Sequence, residues 1–285
     1  THFISDGVTV GDINGNASSS SSVMWAWKAN GGTTSTLTAG TIDSVVQANT
    51  DAGFSIVTYT GDDEARATVA HGLSQAPEMV IVKNRDEAIS SPAWPVYHAS
   101  NTSAPATDYL DLNTTAATDD AETIWSDEVP TDTLVILGTA DSVNSGSAHV
   151  MYCFHSVEGY SKIGSYTGNA DHDEGPFVFL GFKPAWIMIK SASATSAFTS
   201  WAIYDNVRKT FNDDVGTNSK PLFANKGAAE GTRGNDSSTT TGNATALDFL
   251  SNGFKPRVHS DEINQGNTYI YMAFAEAPFK YANAE

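Results

Sequence analysis

The 285-residue chain holds a single cysteine, Cys153. No intrachain disulfide can form, so packing or assembly must supply the stability. Basic residues are scarce as well, with 15 Lys and Arg against 33 Asp and Glu and a formal charge of −18. That balance excludes a nucleic-acid groove, because phosphate would be repelled over most of the surface. No apolar run reaches membrane-spanning length, so membrane insertion is not expected. No stretch carries the period of a long amphipathic helix. Gly-x-Ser-x-Gly elbows, phosphate-binding glycine loops, His-Glu-x-x-His pairs and paired-Cys zinc patterns are all missing. No catalytic, cofactor-binding or metal residue is assigned, and a non-enzymatic protein without cofactors is expected.

What remains is a chain of short apolar runs separated by Gly, Ser, Thr and Asn, which is the pattern of an all-β protein. Much of it is written more than once. VMWAWKA (23–29), VMYCFHS (150–156) and IYMAFAE (270–276) align so that Val23, Val150 and Ile270 share a column. Trp25, Tyr152 and Met272 form the next column, and Trp27, Phe154 and Phe274 the third. Alternate residues of a strand share a face, so these columns predict a bulky face turned to a core.

The repeat also decides how Cys153 is read. His149, Cys153 and His155 would project together from a strand and offer metal or thiolate chemistry. Yet Cys153 aligns with Ala26 and Ala273, His155 with Lys28 and Ala275, and His149 with Ser22 and Tyr269. A small buried thiol packed like alanine is the reading that follows.

Two further blocks run in parallel at one offset. Tyr59-Thr60-Gly61 recurs as Tyr166-Thr167-Gly168, Pro77 as Pro184, Lys83 as Lys190, Trp94 as Trp201 and Tyr97 as Tyr204, each pair 107 apart. EMVIVK (78–83) and AWIMIK (185–190) read as strands entered after a proline, and WPVY and WAIY as the strands that follow. Residues 53–157 and 158–285 are therefore expected to be two tandem, jelly-roll-like β-sandwich modules. FISDG (3–7) matches FLSNG (249–253), with LVILG (134–138) in the corresponding place of the middle copy. Residues 1–30 then read as the terminal strand pair of a preceding module, and residues 31–52 as a Gly/Thr-rich connector able to add an edge strand. On this reading the chain is the C-terminal part of a longer polypeptide.

Acids cluster after each Tyr-Thr-Gly: Asp62, Asp63 and Glu64, then Asp171, Asp173 and Glu174. Oxygen-rich loops can hold calcium, but neither cluster has a defined ligand spacing, and a charged hairpin tip is the simpler reading. DINGN (12–16) lacks the EF-hand spacing and reads as a polar turn. Trp94 and Trp201 recur within alternating strands and are expected in the core, whereas Trp125 and Trp186 have no aromatic counterpart and are the better candidates for binding. Segments 98–130 and 205–246 repeat poorly and are expected as the surface loops where specificity resides.

The combination of GFSIVTYTG, HGLSQAPEMVIVK, WPVYH, YCFHSVEGYSKIGSYTG, GPFVFLGFKPAWIMIK, WAIYDN, DFLSNGF and YIYMAFAEAPFK resembles a repeated domain of large structural proteins of tailed bacteriophages, often marine. Those proteins are usually described as tail-fibre or virion proteins, often with a laminin-G or concanavalin-like domain upstream. The resemblance implies a virion-located structural protein, self-associating and bound to other virion proteins, supporting attachment to a host-surface glycan. It transfers no catalytic residue. A head-decoration, tail-sheathing or filament subunit is the alternative; a polysaccharide depolymerase would need an acid pair that the sequence does not single out.

Overall fold

A computed structural model describes residues 2–4, 7–9, 22–29, 31–86, 92–171, 174–208, 212, 220–227, 230 and 246–277. The chain is all-β and built as sandwiches. It opens on a hairpin of β1 (His2–Ile4) and β2 (Gly7–Thr9), with Phe3 opposite Val8 and Ile4 opposite Gly7.

The next strands are β3 (Ser35–Leu37), β4 (Ser44–Asn49), β5 (Phe54–Thr60), β6 (Ala67–Ala70), β7 (Met79–Asn84), β8 (Pro95–His98), β9 (Asp108–Asp111) and β10 (Asp119–Asp120). A helical turn α1 (Glu122–Trp125), β11 (Leu134–Leu137), a second turn α2 (Asp141–Asn144) and β12 (Ala148–Phe154) complete this half. Its large sheet has eight strands in the order β10-β9-β8-β7-β12-β5-β4-β3, faced by the pair β11-β6. Residues 31–52 are thus more than a connector, since they supply both β3 and β4. Segment 98–130 is likewise more than loop: it carries β9, β10 and α1.

The second half contains β13 (Ser161–Thr167), β14 (Val178–Phe179), β15 (Pro184–Ser191), β16 (Ala202–Asp205), β17 (Leu222–Phe223), β18 (Leu247–Leu250), β19 (Gly253–Pro256) and β20 (Thr268–Ala275). Its sheets run β13-β20-β15-β16-β17 and β14-β19-β18. The pairings are duplicated: β12 lies between β5 and β7 as β20 lies between β13 and β15, and β11 joins β6 as β19 joins β14. The β18–β19 hairpin puts Phe249 opposite Phe254 and Leu250 opposite Gly253, the register of β1–β2. LVILG, however, occupies the place of β19 rather than that of FLSNG. Its glycine misleads: Gly138 and Gly253 both press against another backbone, but Gly138 follows its strand and Gly253 begins one.

Each half has its own core between its large and small sheets. Val57, Val80, Val82, Met151 and Cys153 face Val69, Val135 and Leu137 in the first; Ile187, Ile189, Tyr271 and Ala273 face Val178, Phe249 and Phe254 in the second. A third core lies on the opposite faces of the large sheets, where Phe54, Met79, Ile81 and Phe154 meet Trp186, Met188, Met272 and Phe274. The bulky columns of the repeated strand therefore do not fill their own sandwich. The smaller face does that, and the bulky face glues one module to the other. Large side chains buried there contribute roughly 1.5–3 kcal/mol each, enough to make the pair one body rather than beads on a string.

Residues 22–29 carry the third copy of this strand, but among the described residues they join no β ladder. They run as a strap whose Trp25 and Trp27 pack edge-on against Trp186, at centroid distances of 6.4 and 5.2 Å. The Trp25 indole donates to Asp205 (3.2 Å), which in turn holds Arg208 (2.6 Å).

Candidate functional site

The residues that the two modules share hold the scaffold. Tyr59 and Tyr166 donate their hydroxyls to the carbonyls of Val143 (2.6 Å) and Ile263 (2.7 Å). Their rings stack on His149 and Tyr269 at 5.0 and 5.2 Å. A Cβ at Gly61 would collide with the Ser145 carbonyl, and one at Gly168 with that of Gln265, so each Tyr-Thr-Gly needs its glycine for close approach.

A buried asparagine completes each clamp. Asn144 accepts from the Asp62 amide (3.1 Å) and donates to the Glu64 carbonyl (2.8 Å); Asn264 accepts from the Asn169 amide (3.0 Å) and donates to the Asp171 carbonyl (2.9 Å). Sequence reasoning missed these residues although a signal was present: DSVNSG (141–146) and DEINQG (261–266) share Asp-x-Val/Ile-Asn-x-Gly. Asn144→Ala and Asn264→Ala should each cost about 2–3 kcal/mol, because several polar groups lose partners in a buried setting. Urea unfolding checks this; a loss under about 0.5 kcal/mol in both would show that the clamp is dispensable.

The acidic clusters serve these same turns. Asp62 accepts from the Glu64 amide (3.0 Å) and Asp63 from the Gly146 amide (3.2 Å). Asp171 accepts from the Glu174 amide (2.8 Å), and Glu174 pairs with Lys255. Asp173 and the DINGN turn lie outside the described residues. Among the described residues no three His, Cys, Asp or Glu side chains are placed to hold a metal.

The suggestive trio is also dispersed. Cys153 is buried, and burial pushes its thiol up to about 12, far from thiolate chemistry at neutral pH. His149 contacts the carbonyls of Ser147 (2.8 Å) and Asp141 (3.3 Å), whereas His155 contacts Gln75 (2.7 Å) and the Ser156 carbonyl (2.9 Å). The tryptophans need two corrections. Trp125 and Trp186 are not binding residues but core, the first set edge-on to Tyr97 at 6.2 Å and the second in the intermodule core. Trp201 is buried as expected, but Trp94 is only half-buried, under Lys83 at 5.8 Å from its ring centroid.

Two cavities stand out among the described residues. One, of about 480 Å³, lies between the strap and the first module, with Trp25, Trp27, Trp94 and Tyr152 among its apolar walls. The other is a groove of about 720 Å³ at the seam of the modules. Ser100, Asn101 and Thr118 come from the loops that the second module does not repeat, and Ser165, Ser193 and Thr268 from the second module. Hydrogen bonds across the seam fix its shape: Thr118 amide to Ala192 carbonyl (2.8 Å), Ala117 amide to Thr195 Oγ1 (2.8 Å) and Trp201 indole to Asp111 carbonyl (2.9 Å). His98 Nδ1 accepts from the Ser100 amide (3.1 Å), which leaves Nε2 to donate to the Tyr271 carbonyl (3.3 Å). Burial lowers the pKa of His98 to about 4, so this link is made by a neutral imidazole.

Among the described residues the groove lining carries no ionisable side chain. Asn101 is buried, accepts from Thr118 Oγ1 (2.7 Å) and leaves its Nδ2 with no partner among the described residues. An unpaired amide donor of this kind costs about 1–3 kcal/mol. The wall hydroxyls can offer hydrogen bonds to an uncharged polar molecule, and among the described lining residues no acid or base stands beside them.

Fold and site together define a tandem all-β sandwich protein with its modules packed back to back. The chain belongs to the family described as a domain of unknown function (DUF7483), whose model matches residues 1–278 and so takes in hairpin, strap and both modules. No curated protein and no solved structure matches the chain.

Proposed function

We propose that this protein is a non-enzymatic structural component of a tailed-bacteriophage particle, a tail-fibre or other surface-fibre piece that supports attachment to a host-surface glycan. One observation carries the reading: the residues common to both modules build clamps and cores, while loops unique to the first module meet the second module in an open polar groove at the seam. A rigid scaffold presenting variable loops is how many binding proteins separate stability from specificity. The acidic balance suits a component present in many copies, since like charge discourages uncontrolled association. The phage assignment itself comes from the resemblance of the repeated segments.

A second reading, a head-decoration, sheath or filament subunit, draws on exposed apolar side chains. Phe177 and Phe179 lie in the open at the β14 edge, and Val23 and Met24 on the strap, as surfaces that pack against neighbouring subunits do. Immunogold electron microscopy of intact particles, with antibody raised against residues 31–277, separates the two. Gold on a projecting tail appendage supports attachment, and gold in a regular layer or filament wall supports the building-block reading. Particles that carry no gold overturn both.

A further inference from the structure

We infer that the seam groove is a binding site for a neutral saccharide, recognised through the hydroxyl side chains of its walls. At about 720 Å³ it falls in the range of small-molecule sites and can admit one or two sugar rings. Its walls are hydroxyl and amide groups, which can both donate to and accept from the hydroxyls of such a ring. Asn101 is buried beneath this wall, where its side-chain oxygen accepts from Thr118 Oγ1 (2.7 Å) and fixes the position of that hydroxyl.

The sign of the charge selects among sugars. Among the described residues nothing cationic lines the groove, and the whole chain carries −18, so sialylated or uronic-acid chains would be repelled where neutral ones are not. The groove is also preorganised. Thr118 and Ala192 are tied by main-chain hydrogen bonds, Ala192 to Thr268 (2.8 Å) and Thr268 to Ser193 Oγ (2.9 Å), so little order is lost when a ligand enters. No aromatic platform is among the lining residues, so recognition runs through hydrogen bonds and each site is weak alone, gaining strength from many copies.

This inference rests on the attachment reading for the source of the sugar, whereas its test needs no particle. The full chain is applied to a printed array of neutral oligosaccharides of glucose, galactose, mannose and N-acetylhexosamines, with sialylated and uronic-acid chains beside them, and hits are titrated. Neutral chains should bind, and Asn101→Leu, which removes the acceptor that positions the Thr118 hydroxyl, should weaken binding about tenfold or more. Ser165→Leu, at an exposed position on the groove wall, should do the same while leaving the thermal melt unchanged, and it decides the matter if Asn101→Leu fails to fold. Binding to acidic chains alone, binding untouched by Ser165→Leu, or no binding to any neutral chain overturns the assignment. Sugar binding by a chain that immunogold does not find on particles would keep the site and discard the phage reading.

Discussion

Trp186→Ala should separate the melting of the two modules. Trp186 is buried in the intermodule core against Phe274 (5.8 Å), Trp27 (5.2 Å) and Trp25 (6.4 Å). Among the described residues its indole N–H has no partner, so truncation breaks no hydrogen bond there, and the loss is one of packing. Removing a buried tryptophan side chain costs about 3–5 kcal/mol, and here that loss falls on the intermodule core, where Trp186 backs the Phe274 ring that meets Phe154 of the first module (6.3 Å). Calorimetry should therefore resolve two transitions where the native chain shows one. Trp125→Ala is the matched control, because Trp125 sits in the core of the first module; it should lower that module's melting without uncoupling the pair. A single, unshifted transition in Trp186→Ala would mean that the back-to-back core does not hold the modules together.

That core also marks where the sequence stops being legible. Strands β7 and β15, and β8 and β16, could be placed from alternation and a constant 107-residue offset, because a strand's two-residue period is a local property. Which face meets which layer is not local. Val150, Tyr152 and Phe154 share a face in any strand, but both faces of β12 are covered, and only the position of the second sheet shows that the bulky side points at the other module. Trp186 misled for the same reason. Its counterpart at the 107-residue offset is Met79, and both enter the intermodule core, so the absence of an aromatic partner reflected apolar substitution rather than binding. The Asn144 and Asn264 clamps were legible in principle, since Asp-x-Val/Ile-Asn-x-Gly stands at both places, but polar loops draw less notice than apolar strands. The seam groove was not legible, because its walls come from segments around 100, 118, 165, 193 and 268 that only the packing of two modules brings together. What could be foreseen was that the poorly repeated stretch 98–130 would matter to it.

Lys190→Met should stabilise the protein at pH 7, with the gain shrinking as pH rises toward 10. Lys190 is fully buried at the seam, where its Nζ donates to the Ser191 carbonyl (2.7 Å) and reaches the Thr115 carbonyl (3.5 Å) that also receives Thr199 Oγ1 (2.7 Å). Its counterpart Lys83 is only half-buried over Trp94, so the same repeated lysine meets two environments. Burial lowers the pKa of Lys190 from 10.5 to about 7. Between those values the unfolded chain binds a proton that the folded chain does not, so this group makes stability rise with pH across the window and adds no slope below it. The full swing is roughly 3–5 kcal/mol, and methionine removes it while filling a similar space. Urea unfolding of both chains at pH 7, 8, 9 and 10 isolates the residue, because every other titrating group is common to them. If the difference between the two chains stays flat across that range, the amine is charged in the folded protein. The seam would then hold a cation two residues from Ala192, and an anionic sugar would become the better match for the groove.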